Sequence, residues 1–110
     1  MNRGYVYIMT NKRRTVLYTG VTSDLVRRVA EHKAGCGSAF ARRNKCVILV
    51  YYVVSDSIES AITQEKRIKN RRRVWKNALI SLSNPVWADL SESIGVTPDI
   101  VEQVRRSRVD

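Results

Sequence analysis

Two short alternating runs open the chain. Tyr5-Val6-Tyr7-Ile8-Met9 and Val16-Leu17-Tyr18-Thr19-Gly20-Val21 both read as strands, and the polar residues 10–15 between them suit a hairpin connection. Residues two apart in a strand share a face, so Tyr5 stands with Tyr7 and Tyr18 with Gly20. The hairpin can bring phenols from neighbouring strands together, beside a glycine that admits a close approach. A third run, residues 46–54, is unbroken in its apolar character, which predicts a strand covered on both faces. Tyr51 and Tyr52 in that run point to opposite faces, so at most one joins the first cluster.

Elsewhere the period is helical. Thr22, Ser23 and Asp24 are N-cap candidates for a helix over residues 24–34, with Leu25, Val26, Val29 and Ala30 as its apolar stripe. Gly35-Cys36-Gly37-Ser38 ends it and opens a loop holding Phe40, Arg42 and Arg43. Asp56 and Glu59 have capping-box spacing before a helix that runs to about residue 73. Apolar residues at helical spacing continue to residue 82, as one bent helix or as two. Pro85 suits the start of a short helix carrying Trp87 and Leu90, and Thr97-Pro98 can cap a last helix to about residue 106. This divides the chain into a domain over residues 1–90 and a helical tail over 91–110.

At 110 residues the chain is long enough for one core. No apolar run reaches membrane-spanning length, and Met-Asn-Arg-Gly leads into the first strand with no signal-peptide pattern. Cys36 and Cys46 alone make neither a disulfide framework nor a paired metal spacing. They read as reduced thiols of a cytoplasmic protein. Charge changes the picture more: 20 Lys and Arg against 10 acidic residues give +10, which favours a polyanionic partner. Lys66, Arg67, Lys69, Arg71, Arg72, Arg73 and Lys76 concentrate that excess within eleven residues.

Two polar residues sit where a core would not choose them. On a helical wheel Ile58, Ala61, Ile62 and Ile68 mark an apolar face, and Glu65 falls near its centre. A carboxylate there must be paired, hydrogen-bonded or bound to a metal. Lys69, one turn on, is the paired alternative. In the first helix Arg27 and Glu31 share one rim as a solvent-facing ion pair, while Arg28 and His32 share the other. The chain has no second histidine, so no multi-histidine metal site exists. Trp75 and Trp87 are spaced for helix packing.

Tyr5-Val6-Tyr7, Tyr18-Thr19-Gly20, Arg28 and Glu65, in that order, resemble the GIY-YIG nuclease superfamily. The likeness is greatest to small single-domain bacterial members similar to the N-terminal domain of the excision-repair endonuclease. Glu65-Lys66-Arg67-Ile68-Lys69 and Asn84-Pro85-Val86-Trp87-Ala88-Asp89-Leu90 extend it over about residues 3–90. The resemblance implies an α/β (α+β) fold with a small, central, three-stranded and mainly antiparallel sheet flanked by helices. It implies a metal-dependent endonuclease that hydrolyses phosphodiester bonds in nucleic acid, DNA before RNA, with Mg2+ (or Mn2+) as cofactor. Glu65 would be the metal ligand, Arg28 the phosphate-binding residue, Tyr7 and Tyr18 the paired tyrosines, with Tyr18 as base, and His32 a further catalytic residue. Lys69, Arg71, Arg72, Arg73, Lys76, Arg42 and Arg43 are the nucleic-acid-binding candidates, and a repair protein is a candidate partner. The chain departs from the family pattern at Tyr5, Val6 and Thr19, and at Val21, where relatives often carry lysine. A non-catalytic nucleic-acid-binding module on the same fold is the alternative.

Overall fold

The structure is a computed structural model and describes residues 3–108. Its elements run β1 (Gly4–Thr10), β2 (Leu17–Thr22), α1 (Leu25–Lys33), α2 (Ala39–Arg43), β3 (Ile48–Ser55), α3 (Ile58–Lys69), α4 (Arg73–Ser83) and α5 (Pro98–Ser107), with a 3₁₀ turn at Glu92–Ile94 before α5. The three strands form one antiparallel sheet in the order β2-β1-β3. Helices flank it, so the expected α+β architecture is present. No helix among the described residues is long and apolar enough to cross a membrane.

Being central, β1 is the strand buried on both faces. Val6 and Ile8 join Ile48, Val50, Ala61, Ile68 and Ile80 under α3 and α4. Tyr7 and Met9 join Leu25, Val29, Ala30, Leu49 and Val96 under α1, with Ile100, Val101 and Val104 of α5 packed against that cluster. The expectation that the third strand is covered on both faces fails at its far end, where Tyr52 and Val54 are exposed. β3 is an edge strand, and its β-branched sequence reflects half-buried packing as much as full burial. A bulge lies opposite Ile8 and Met9, whose partners are Tyr51 and Leu49. The odd residue, Val50, packs into the same layer as its neighbour Tyr51.

Segment 84–91 is no helix, contrary to the expectation at Pro85; side chains hold it against β3 instead. Asn84 donates from Nδ2 to the carbonyls of Val50 (3.1 Å) and Ala88 (2.9 Å) and accepts from the Ala88 amide (3.0 Å). Asp89 accepts from the Leu49 amide at 3.2 Å and pairs with Lys33 at 2.7 Å. Lys33 and the Ser91 donors, outweighing burial, keep the Asp89 carboxyl below its usual range.

The region after residue 56 resolves into two helices, with Asn70 capping α3 and Arg72 preceding α4. Ser57, not Asp56, is the N-cap: its side chain accepts from the Ser60 amide. Thr97 caps α5 as expected, accepting from Ile100. Trp87 packs partly against the α3–α4 core, whereas Trp75 is part-exposed with the Arg71 guanidinium 4.8 Å above its ring.

Candidate active site

The register sets the site. Tyr7 lies opposite Gly20 and Tyr18 opposite Met9, so both phenols emerge on the α1 face of the sheet. Gly20 is needed there: a Cβ on it would stand 2.5 Å from the Tyr7 ring and hydroxyl. With that space free, Tyr7 is fully buried while Tyr18 stays half-buried near the free edge of β2. Their ring centroids are 6.3 Å apart.

From α1, the Nε2 atom of His32 lies 2.9 Å from the Tyr7 hydroxyl, and its ring is 5.3 Å from that of Tyr18. His32 is only 3 % exposed, so it belongs to the buried cluster and not to the surface. The loop after α1 lays Gly37 against Nδ1, where a side chain would collide, and Nδ1 has no hydrogen-bond partner among the described residues. Burial, with the Arg28 charge adding to it, brings the His32 pKa down to about 4. The ring is therefore neutral near pH 7. Burial also raises the Tyr7 pKa above its ordinary value, only partly opposed by the Arg28 guanidinium facing its hydroxyl. Tyr7 and His32 thus form a neutral pair.

Arg28 is held from behind by a residue whose spacing suggested only a surface ion pair. Glu31 is 5 % exposed and is no surface partner. Its Oε1 accepts from Arg28 at 3.1 Å, and its Oε2 lies 2.6 Å from Arg108 and 3.5 Å from Arg27. Burial alone would raise its pKa, but hydrogen bonds from Arg28 and Arg108 bring it below the usual carboxylate range. Burial likewise disfavours the Arg28 cation, yet Tyr7 and Glu31 leave its pKa raised. The spacing of Arg27, Arg28 and Glu31 is visible in the sequence. Arg108, 77 residues away, is not.

A second unforeseen contributor is α2, read from sequence as loop. Ser38 caps it, accepting from the Ala41 amide at 3.3 Å. The helix puts Phe40 on Tyr18 with centroids 6.3 Å apart and planes 26° off parallel. Ser38 ahead of Ala39-Phe40-Ala41 was the signal for it. Tyr18 and Phe40 then share a groove of about 350 Å³ with Thr19, Lys69 and Lys76, running over the free edge of β2.

Glu65 approaches from the other layer. It is 8 % exposed on α3, the helix that covers the Val6–Ile8 face, and its Oε2 is 3.4 Å from Lys69 Nζ. Tyr7, Tyr18, Arg28 and His32 therefore gather on one face, while Glu65 lies behind the sheet and reaches toward the groove through its neighbour Lys69. No group of three or more His, Cys, Asp or Glu side chains gathers among the described residues. A lone carboxylate suits a hard cation that fills its remaining positions with water and phosphate oxygens, and suits zinc poorly. The Lys69 side chain is 60 % exposed, so the pair is screened and Lys69 is free to swing aside.

The basic candidates divide. Arg73 donates to the carbonyls of Thr15 and Arg14, both at 2.9 Å, and so braces the hairpin turn; Arg71 covers Trp75. Lys69 and Lys76 line the groove. Arg72 and Arg43 are exposed, while Arg42 lines a separate pocket beside His32.

Comparison with known proteins agrees with this frame. The GIY-YIG catalytic domain matches residues 3–78, a span that holds Tyr7, Tyr18, Arg28, His32 and Glu65. UPF0213 proteins of Streptococcus pyogenes serotypes M5 (strain Manfredo) and M2 (strain MGAS10270) are each 41 % identical over 70 residues, covering 64 % of this chain and 75 % of theirs. The solution NMR structure of the UPF0213 protein BH0048 from Bacillus halodurans superposes with a TM-score of 0.52 at 30 % identity, over 86 % of this chain and 99 % of that one. The chain belongs to the GIY-YIG catalytic domain family, a family of nucleases.

Proposed function

We propose that the protein is a metal-dependent endonuclease that hydrolyses phosphodiester bonds in nucleic acid, DNA before RNA. The observation that carries this reading is the gathering of Tyr7, Tyr18, His32 and Arg28 beside a cation-lined groove on an open strand edge. Arg28, held by Glu31, offers a planar fork to two phosphate oxygens and meets the charge that builds on them in the transition state. Tyr18 borders the groove and, in its phenolate form, would take the proton of an attacking water. Tyr7, buried and with its phenol held protonated, fixes His32 instead. Glu65 would hold Mg2+ or Mn2+, which when bound polarises the scissile phosphate and stabilises the leaving oxygen. Lys69 and Lys76 would carry the backbone along the groove, with the exposed Arg72 and Arg43 as further phosphate contacts. A cytoplasmic setting and a repair-protein partner for the tail belong to the same proposal.

A second reading, a binding module without catalysis, draws on the Glu65–Lys69 pair behind the sheet. Incubating the protein with branched and linear DNA and with RNA, in Mg2+ or EDTA, separates the two. Cleavage that requires metal and disappears in Glu65→Gln is the expected result. Salt-sensitive binding with every substrate left intact would establish the module.

A further inference from the structure

Beside the tyrosine cluster lies a second concavity that the catalytic proposal does not use. It has a volume of about 460 Å³, within the ~300–1,000 Å³ range of small-ligand sites. Lys12 and Arg13 of the hairpin turn approach it from one side, Arg42 and Lys45 from the α2 segment on the other. No carboxylate among the described residues lies within ion-pair distance of any of the four. Four like charges around one hollow repel one another unless an anion enters it. Lys45 also holds a left-handed backbone conformation (φ 54°) that side chains seldom adopt, at the lip of this hollow. Between the cations, Ala41 and Val47 give the pocket an apolar lining.

His32 lines this pocket and also meets the Tyr7 hydroxyl through Nε2. Whatever fills the pocket therefore sits next to the tyrosine–arginine cluster. We infer that the pocket binds one nucleotide of the nucleic-acid strand. Its phosphate lies on Lys12, Arg13, Arg42 and Lys45, and its base lies on Ala41 and Val47. A base inside such a hollow has left its pairing partner, so the ligand is an unpaired nucleotide, as in a flap, a frayed end or a single strand. The inference rests on the proposed nuclease reading only in placing this nucleotide beside the position of cleavage.

Titration of the isotope-labelled protein with thymidine 5′-monophosphate, without divalent metal, tests it. The amide resonances of Asn44, Lys45 and Val47 are expected to move and saturate. Thymidine and inorganic phosphate should each bind at least tenfold more weakly. The double variant Arg13→Glu/Arg42→Glu should weaken nucleotide binding at least tenfold. The charge-matched control Arg3→Glu/Arg106→Glu, with Arg3 at the opposite end of β1 and Arg106 on the last turn of α5, should stay within twofold of the parent. Inorganic phosphate saturating at the same concentration as the nucleotide would overturn the inference, since a base subsite would then contribute nothing. So would a twofold or smaller effect in the pocket variant, with amide dispersion showing that it is folded. The readout involves neither metal nor cleavage. A protein that binds the nucleotide but never cuts would sink the nuclease reading and leave the pocket standing; one that cuts without these shifts would do the reverse.

Discussion

Two buried carboxylates, Glu31 on α1 and Glu65 on α3, occupy opposite sides of the sheet and differ in how they are held. Glu31 is gripped by Arg28, Arg27 and Arg108, with both oxygens engaged. Glu65 has a single ion-pair partner among the described residues, a lysine whose side chain is mostly in solvent. A carboxylate clasped by several guanidinium groups is a fixed counter-charge, and removing it strands the cations around it. One held by a single flexible ammonium is available to a stronger cation. Burial alone therefore does not mark the reactive acid. Under the proposed function the partner set does: Glu31 is the anchor of Arg28, and Glu65 is the group with coordination to spare.

The largest effect should come from the acid with coordination to spare. Glu65→Gln is expected to lower metal-dependent cleavage by about 10³-fold or more while shifting stability by less than ~1 kcal/mol, because its ion-pair partner Lys69 is solvent-exposed. Cleavage assays run beside urea titrations check both halves, and a large stability loss would make Glu65 an anchor like Glu31.

Acid should act on the α1 face. His32 is held at about 4, well below its ordinary 6.5, facing Arg28 and Glu31 on its own helix and Tyr7 and Tyr18 from the sheet. The unfolded chain then binds the proton more readily than the folded one. The stabilisation is fully present above pH ~6.5 and is lost as pH falls toward 4, at about 3 kcal/mol in all. Glu31, also depressed, adds to the loss at the acid end. Urea midpoints from pH 7.5 to 4 would show it, and His32→Leu should flatten the upper part of that slope.

Glu31→Gln ranks next, at about 1–2 kcal/mol, since the arginines it releases are partly exposed and screened. Activity should fall roughly tenfold as Arg28 loses its bearing. Stability and activity falling together, where Glu65→Gln loses activity alone, would bear out the distinction between the two acids. A stability change with unaltered kcat and KM would free Arg28 of any dependence on Glu31.

Much of this arrangement was legible in local pattern. Strand alternation put Tyr5 with Tyr7 and Tyr18 with Gly20; the register that sets Tyr7 opposite Gly20 came from the structure. Glu65 stood out because a carboxylate interrupts an apolar helical face. What stayed hidden depends on contacts distant in sequence or on chain direction after a loop. Arg108 meets Glu31 only because α5 folds back onto α1. His32 is buried by Gly37 and the two tyrosines, contacts that the α1 wheel alone does not show. Tertiary contacts also divide the dense basic run: Arg73 is engaged by turn carbonyls and Arg71 by Trp75. By contrast, the scattered Lys12, Arg13, Arg42 and Lys45 converge on one hollow. Density along the chain says little about which charges share a hollow.

The smallest expected effect tests the premise most directly. Lys69 both neutralises Glu65 and lines the groove over β2, so Lys69→Ala changes two things in opposite directions. Removing the competing ammonium should let Glu65 take up Mg2+ at a several-fold lower concentration. Removing a groove cation should weaken nucleic-acid binding and reduce the slope of log affinity against log salt by about one. Stability should move by no more than ~0.5 kcal/mol for a screened, exposed partner. If Lys69→Ala instead destabilised the fold by more than ~2 kcal/mol, the pair would be a true anchor. Glu65 would then have no coordination to offer a metal, and the binding module would be the better account of this fold.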